Sequence, residues 1–320
     1  MRNQNGLITI TTTIFPSYDF VRQIAGDKVN LSMLLLPGAD AHSFESSPRD
    51  IISVQNSDIF IYIGGKVDRW VERILQSMNT DNIRILAMTN IVTTVIEEIA
   101  EGMEPDHHGC DHGHNRNVIG RAIQWILRLF ARDRHCDHDH DPCGVVYDEH
   151  VWTSPRNAIL IVRAITDLLC EVDSANAAFF QQNAAAYIIE LEQLDAALSE
   201  VVANAKRRTI VFADRFPFRY LADDYGLSYF AAFPGCSTET EASAATVAFL
   251  INKIREEQIP VVFHIELSNE RMANAISAET GAKKLLLHSC HNISRRDFDA
   301  GLGYLELMQR NVEALREALN

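Results

Sequence analysis

Histidine, a side chain that commonly binds zinc through a ring nitrogen, is concentrated in one part of this sequence. Seven of the twelve histidines lie between residues 101 and 141, where aspartates are interleaved with them and a helix-like stretch divides the run. They are His107, His108, His112, His114, His135, His138 and His140. Clustered imidazoles without a fixed geometry would bind several metal ions weakly. The segment predicts an auxiliary metal-binding loop, with a polar loop of incidental metal affinity as the alternative.

Three other histidines lie where predicted strands end. They are His42 in PGADAHSFESSP, His150 in DEHVWTSP and His288 in LLLHSCHN. Loops at the carboxyl ends of parallel strands are where α/β sheets bind ligands, and an imidazole there can hold zinc. A lone loop histidine is more often solvated, and three at strand ends leave a metal site and solvated loop histidines as alternatives. Cys290 and His291 are interpreted as bystanders, because zinc sites rarely take adjacent ligands from one turn.

The surrounding sequence predicts the elements that would position these side chains. In the first part, the predicted strands are 7–15, 29–38 and 58–65, and the predicted helices are 17–26 and 48–56. In the last part, the predicted strands are 208–214, 261–267 and 284–289, and the predicted helices are 219–226, 242–258, 270–281 and 304–319. Strands alternating with helices through short connections indicate βαβ units and parallel sheets.

A segment rich in Ala, Leu, Glu and Gln, residues 173–206, separates the two parts and contains no Pro or Gly. Its apolar residues recur at helical spacing, so we expect one long helix in place of a flexible linker. The predicted fold is α/β: two βα sandwich lobes with parallel sheets, joined by a rigid spine helix, with a metal cleft between the lobes. The predicted domains are residues 1–174 with an insertion at 105–145, the spine at 175–205, and residues 206–320.

Charge and composition exclude several classes of function. The chain has 320 residues and a formal charge of -14, which argues against nucleic acid as the main partner because phosphate binding needs basic patches. No run of eighteen apolar residues is present, which argues against a membrane-spanning helix. The N-terminal residues lack the basic and apolar regions of an export signal, so we expect no signal peptide in this chain.

Several of these motifs together resemble the zinc- and manganese-type solute-binding proteins of ABC importers. The segment PGADAHSFESSP resembles a P-G-x-D-x-H signature, and DEHVWTSPRNA resembles D-P-H-x-W-x-x-P-x-N-A. FRYLADDYGL resembles F-x-Y-x-x-x-Y-G-L, and the terminal GYLELMQRNVEALREAL is similar to the last helix of that family. The resemblance covers nearly the whole chain outside 105–145, and it implies that His42 and His150 are metal ligands.

The second half departs from the family pattern. A histidine usually precedes F-x-Y, but Arg215 stands at or beside that position with Asp214 next to it. The family's last ligand is an acid, and His288 falls at or beside it, so the resemblance implies His42, His150 and His288 as the three ligands. Arg215 cannot bind a cation and could instead pair with an acid of the cleft.

The fourth ligand is left open among three carboxylates and a water. The carboxylates are Asp214, Glu241 in STETEAS, and Glu266, which matches a V-F-x-E acid of the family. The alternative for Glu266 is a buried acid with satisfied hydrogen bonds. Three neutral imidazoles favour zinc over manganese, which prefers oxygen ligands.

The helix-like stretch inside the insertion, residues 116–134, is basic and amphipathic. It predicts either contact with the membrane surface or a permease, or packing against its own lobe or a neighbour. The tract around it resembles the metal-binding loop of zinc-type members of the family.

The function implied is an extracytoplasmic, monomeric zinc-binding protein that delivers Zn²⁺ to an ABC permease. One alternative is a zinc hydrolase with an open three-histidine site and Glu266 as general base. It is disfavoured because neither HExxH nor GxSxG occurs in the chain. The other alternative is a manganese-type binding protein or adhesin. We therefore expect a binding protein and not an enzyme.

Overall fold

A computed structural model describes residues 6–41, 44–65, 68–103, 146–237 and 242–320. Of the predicted cleft ligands, His42 and Glu241 lie outside these residues. The seven histidines between 107 and 140 and the predicted helix 116–134 also lie outside them. Their predicted roles stay predictions.

The first lobe contains a four-stranded sheet in which every pair of neighbouring strands is parallel. Its strands are β1 (Ile8–Thr12), β2 (Val29–Met33), β3 (Ile59–Tyr62) and β4 (Arg84–Ala87), in the order β2-β1-β3-β4. Its helices are α1 (Phe15–Ala25), α2 (Pro48–Gln55) and α3 (Arg69–Ser77). The buried apolar faces of β1 and β3 place this sheet against the core.

Pro16 changes the boundary between the first strand and the first helix. The sequence predicts a strand over 7–15 that Pro16 ends, whereas β1 stops at Thr12 and α1 begins at Phe15. Proline is tolerated in the first helical turn, because the amide hydrogen it lacks would have no partner within the helix there. Pro16 therefore lies in the first turn of α1.

Two long helices connect the lobes. They are α4 (Pro155–Val172), capped by the Ser154 side chain accepting from the Asn157 amide, and α5 (Ala177–Ala203). The second is the predicted spine helix, 27 residues long and thus about 40 Å from end to end. It packs against α1 and α4.

The second lobe repeats the arrangement of the first. Its strands are β5 (Thr209–Phe216), β6 (Ser228–Pro234), β7 (Val261–His264) and β8 (Lys283–Leu286), all parallel in the order β6-β5-β7-β8. Its helices are α6 (Arg219–Tyr225), α7 (Ala244–Glu256), α8 (Arg271–Thr280), α9 (Arg295–Asp299) and α10 (Tyr304–Leu319). Helix α10 also packs against α5.

One apolar core runs through both lobes around the spine helix. Phe20 of α1, Phe180 and Leu191 of α5, Phe212 of β5 and Leu307 of α10 are all buried in it. Burial of this shared surface opposes independent movement of the lobes. The predicted α/β fold with two parallel sheets is confirmed. Among the helices of the described residues, none combines the length and the apolar character needed to span a membrane.

Candidate metal centre

A small cavity of about 70 Å³ lies where the carboxyl ends of strands from the two sheets face each other. The first lobe contributes Ala39–Ala41, which follow β2, and His150, which precedes α4. The second lobe contributes Asp214, Arg215, Pro217, Gly235, Ile265, Glu266, Leu267, Ser268, Ser289, His291 and Asn292. A cavity of this size suits an ion with a water or two, and it is too small for most organic substrates.

His150 is held with one ring nitrogen committed to a carboxylate. Its Nδ1 lies 3.1 Å from Asp148 Oδ1, and its backbone amide donates to the same oxygen at 2.8 Å. A carboxylate accepts and does not donate, so Nδ1 carries the proton, and Nε2 is the ring nitrogen with the lone pair that a metal would bind. Gly235 packs so closely that a side chain there would come within 3.2 Å of the imidazole. The ring is therefore fixed in orientation.

Two opposing effects act on the pKa of His150. Burial lowers the pKa because it disfavours the charged ring, whereas the negative charge of Asp148 and its hydrogen bond raise it. The acids prevail, and the pKa of His150 lies above its usual value. The same negative charge makes the imidazole a better donor to a cation.

His291 is the histidine that the structure brings to His150. Their ring centroids are 5.5 Å apart, with an angle of 80° between the planes. Two imidazoles bound to one tetrahedral zinc, at about 2.0–2.1 Å each, would have their ring centres about 5 Å apart. Trp152 packs edge-on against both rings, with centroid distances of 5.5 Å to His150 and 5.0 Å to His291. The sequence-based interpretation of His291 as a bystander does not agree with this placement.

His288 is not among the described residues that line the cavity. Its Nδ1 accepts from the Cys290 amide at 3.0 Å, and its backbone N–H and C=O bond the Asn311 side chain at 2.7 Å each. Cys290 follows with φ +60°, so the chain reverses and His291 enters the cavity. His288 thus contributes to the shape of the turn, and the structure does not bring it together with His150.

Glu266 lines the cavity, but its oxygens bond the same turn. Oε2 accepts from the Ser289 amide at 2.7 Å, and Oε1 accepts from the Ser289 hydroxyl at 2.5 Å and the His291 amide at 3.1 Å. This arrangement matches the alternative of a buried acid with satisfied hydrogen bonds. Glu266 positions His291.

Asp214 and Arg215 line the cavity from the end of β5. Asp214 Oδ1 accepts from the Arg215 amide at 2.9 Å. In the part of the chain that the structure describes, no three His, Cys, Asp or Glu side chains form a ready-made metal site. Ala39–Ala41, which line the cavity, lead directly in the sequence to His42, which lies outside this part.

Cys236 and Cys290 are neighbours in sequence of residues that line the cavity, but neither is among its described lining residues. Burial raises the pKa of both thiols well above the usual value, and nearby acids raise it further. The interpretation of Cys290 as a bystander stays a prediction.

We expect Asp148→Asn to weaken zinc binding by roughly 10–100-fold, the range for a residue that orients a metal-binding histidine. Asparagine keeps an oxygen near His150 but removes the charge that favours the correct tautomer and raises the basicity of the ring. Competition with a fluorescent chelator at neutral pH would measure the change. Asp299→Asn, on the exposed α9, is the matched control. Equal affinities for the two variants would contradict the role of Asp148.

A second buried carboxylate, Asp68, lies near the acids that surround His150. Burial raises the pKa of Asp68 from 3.8 to about 7, and the negative charge of Glu149 adds to the increase. Its Oδ2 still accepts from the Ile63 amide at 2.7 Å. Between the two pKa values, Asp68 therefore keeps its proton in the folded state and has lost it in the unfolded chain.

As a result, the free energy of unfolding of the metal-free protein should fall as pH rises between about 4 and 7. Asp68→Asn removes this titration. The free energy of unfolding of the variant should therefore fall less over that range, and the difference should be on the order of a few kcal/mol. Urea denaturation of both proteins at several pH values tests this expectation. Parallel curves for the two proteins would disprove it.

The chain is similar to known proteins of zinc uptake. Residues 10–318 match the profile of the family ZnuA, described as "Zinc-uptake complex component A periplasmic". The zinc-binding lipoprotein AdcA of Streptococcus pneumoniae (strain ATCC BAA-255 / R6) is 30% identical over 316 residues, which are 99% of this chain and 56% of that protein. The chain thus spans little more than half the length of AdcA.

A second relative is matched over most of its length. The high-affinity zinc uptake system protein ZnuA of Bacillus subtilis (strain 168) is 28% identical over 310 residues, covering 97% of this chain and 87% of the relative. Among solved structures, the Zn(II)-bound ZnuA-like domain of S. pneumoniae AdcA superposes with a TM-score of 0.74 at 27% identity. That alignment covers 98% of this chain and 99% of the domain.

Proposed function

The chain belongs to the ZnuA family of zinc-uptake components, and on that premise we propose that it captures Zn²⁺ outside the cytoplasm and delivers it to an ABC permease. The observation that carries the proposal is the pair His150 and His291, which face each other in an ion-sized cavity. Relatives named as zinc-binding and zinc-uptake proteins support the same metal.

The proposed ligands are His150, His291 and His42, with Asp214 as the nearest carboxylate candidate for the fourth position. His42 follows the Ala39–Ala41 wall of the cavity by one residue, which supports its inclusion. Three imidazoles favour zinc over manganese, because manganese prefers oxygen ligands. This set replaces His288 of the sequence-based set with His291.

Zinc would be bound by local ordering of the loops at the strand ends. The spine helix and the core shared by the lobes resist a wide hinge motion. The proposed monomeric state, the contact of 116–134 with a membrane or permease, and the gathering of zinc by the histidines of 107–140 belong to the same proposal.

A binding protein suits the site better than the zinc hydrolase alternative. A general base needs a carboxylate oxygen that can reach a metal-bound water. Both oxygens of Glu266 already accept hydrogen bonds from the turn that carries His291.

Isothermal titration of the metal-stripped chain with zinc and with manganese tests the proposal. One tight zinc site is expected, with weaker manganese binding, and a variant lacking residues 107–140 should keep that site. Two results would overturn the proposal: the absence of a tight site in both proteins, or zinc-dependent hydrolysis of an ester, peptide or phosphate that Glu266→Gln abolishes.

A further inference from the structure

A loop of the first lobe and a turn of the second lobe meet at the metal cavity. The loop comprises residues 36–41, the last three of which line the cavity, and the turn comprises residues 288–293, which include His291. Because Ala41 directly precedes His42 in the sequence, the proposed ligands His42 and His291 are carried by these two segments. The contact between the loop and the turn therefore bears on the metal site.

The loop begins with a tight turn at residues 36–39, whose sequence is LPGA. The Ala39 amide donates to the Leu36 carbonyl at 3.0 Å, and Gly38 has φ +88°. Proline at the second position and glycine at the third are favoured in a type II turn, because the third residue needs a positive φ. Local sequence thus specifies this turn, and its outer peptide groups can bond another segment.

Asn292 joins this loop to the second lobe. Its side-chain Nδ2 donates to the Leu36 carbonyl at 2.8 Å and to the Ala39 carbonyl at 2.7 Å. Its Oδ1 accepts from the Ile293 amide at 2.8 Å, which fixes the orientation of the side-chain amide. The Gly38 amide donates to the Ile293 carbonyl at 2.8 Å, so three hydrogen bonds cross between the lobes here.

The hydrogen bonds of Asn292 are shielded from water. Asn292 is 2% exposed, and it also lines the metal cavity. Removal of its side chain would leave buried carbonyls of the loop without this partner, which is costly away from water. An asparagine side chain has two donor hydrogens, and both are used on the loop. The contact therefore defines one position of the loop relative to the turn.

We infer that Asn292 is a positioning residue of the zinc site, which holds the loop 36–41 beside His291 so that both segments can bind one ion. Asn292 directly follows His291, and the loop that it holds leads to His42. Zinc that bridges the two segments and hydrogen bonds that bridge the same segments stabilise each other. Asn292 thus slows zinc release. This inference rests on the proposed function, because it assumes that His42 and His291 bind the same ion.

The rate of zinc release from Asn292→Ala tests the inference. Zinc-loaded protein is mixed with an excess of a fluorescent chelator in a stopped-flow instrument, and the rate of zinc association is measured separately. Release should be about tenfold faster than from the wild type, the factor that corresponds to the net strength of one or two hydrogen bonds. Association should stay within about threefold, because changes within one binding site act mostly on dissociation.

Asn183→Ala is the matched control. The Asn183 side chain also donates to a distant carbonyl, that of Ile24 at 3.0 Å, and both residues lie outside the described lining of the metal cavity. Its loss should lower the stability toward urea and leave the rate of zinc release unchanged. Release from Asn292→Ala at the wild-type rate, or equally faster release from both variants, would overturn the inference.

Hydrogen exchange of the wild-type protein, followed by NMR, is a second test that needs no variant. Zinc should slow exchange of the Gly38 amide by at least about tenfold, because this amide donates across the lobes to Ile293. The Gly281 amide donates to Ser277 at 2.9 Å at an exposed helix end and should change little. Equal protection of the two glycines, or none at Gly38, would overturn the inference. Failure of the wild-type chain to bind zinc would instead refute the proposed function itself.

Discussion

Replacing His291 with asparagine should weaken zinc binding by at least about 100-fold, because even residues that only orient a metal ligand are worth 10–100-fold. His291 faces His150 across the ion-sized cavity at the ring separation that a shared zinc requires. Asparagine is polar and smaller, so the turn can keep its backbone hydrogen bond to Glu266 while the ring nitrogen is lost. Titration against a zinc chelator of known affinity gives the change.

His288→Asn is the control that separates this expectation from the sequence-based ligand set. An asparagine oxygen can accept from the Cys290 amide in place of the His288 Nδ1, so the turn should be preserved. We expect zinc affinity within about threefold of wild type, since no cavity-lining atom changes. If His288→Asn loses zinc and His291→Asn retains it, the assignment of the two histidines must be exchanged.

The same two histidines show how far the sequence could predict the site. His150 was predicted because DEHVWTSPRNA resembles the second histidine signature of the family. The choice between His288 and His291 depends on a left-handed residue, Cys290, and on hydrogen bonds to Glu266, which lies about two dozen residues earlier. A non-glycine residue with positive φ is uncommon and gives no clear pattern. Tertiary contacts decide the choice, and a single sequence does not contain them in readable form.

The fold was more predictable, since it depends on repeated apolar patterns. Most strands and the spine helix follow from runs of β-branched residues and from helical spacing. The sequence did not reveal β4, β6 or α3. Strand β4 has only four residues, two of them exposed, and β6 contains two adjacent alanines, which have a low preference for strands. Pairing with β3 and β5 compensates for these weak local preferences.

Trp152→Phe should lower the free energy of unfolding by about 2–5 kcal/mol and zinc affinity by about tenfold. Trp152 is fully buried, and its indole N–H donates to the Ser289 carbonyl at 2.8 Å, joining the two lobes. It lies two residues after His150, and Ser289 lies two residues before His291. Phenylalanine would leave a small cavity and an unpaired buried carbonyl beside the metal-binding turn.

Urea denaturation with and without zinc measures both effects, because zinc stabilises the folded state by an amount set by its affinity. Tyr304→Phe is the matched control, since the Tyr304 hydroxyl donates to the Trp152 carbonyl at 2.7 Å and is also buried. This control should cost about 1–3 kcal/mol of stability and leave the stabilisation by zinc nearly unchanged, because the bond to Ser289 remains. If both variants lose stability and neither loses zinc affinity, Trp152 only stabilises the core and does not position His150 and His291 relative to each other.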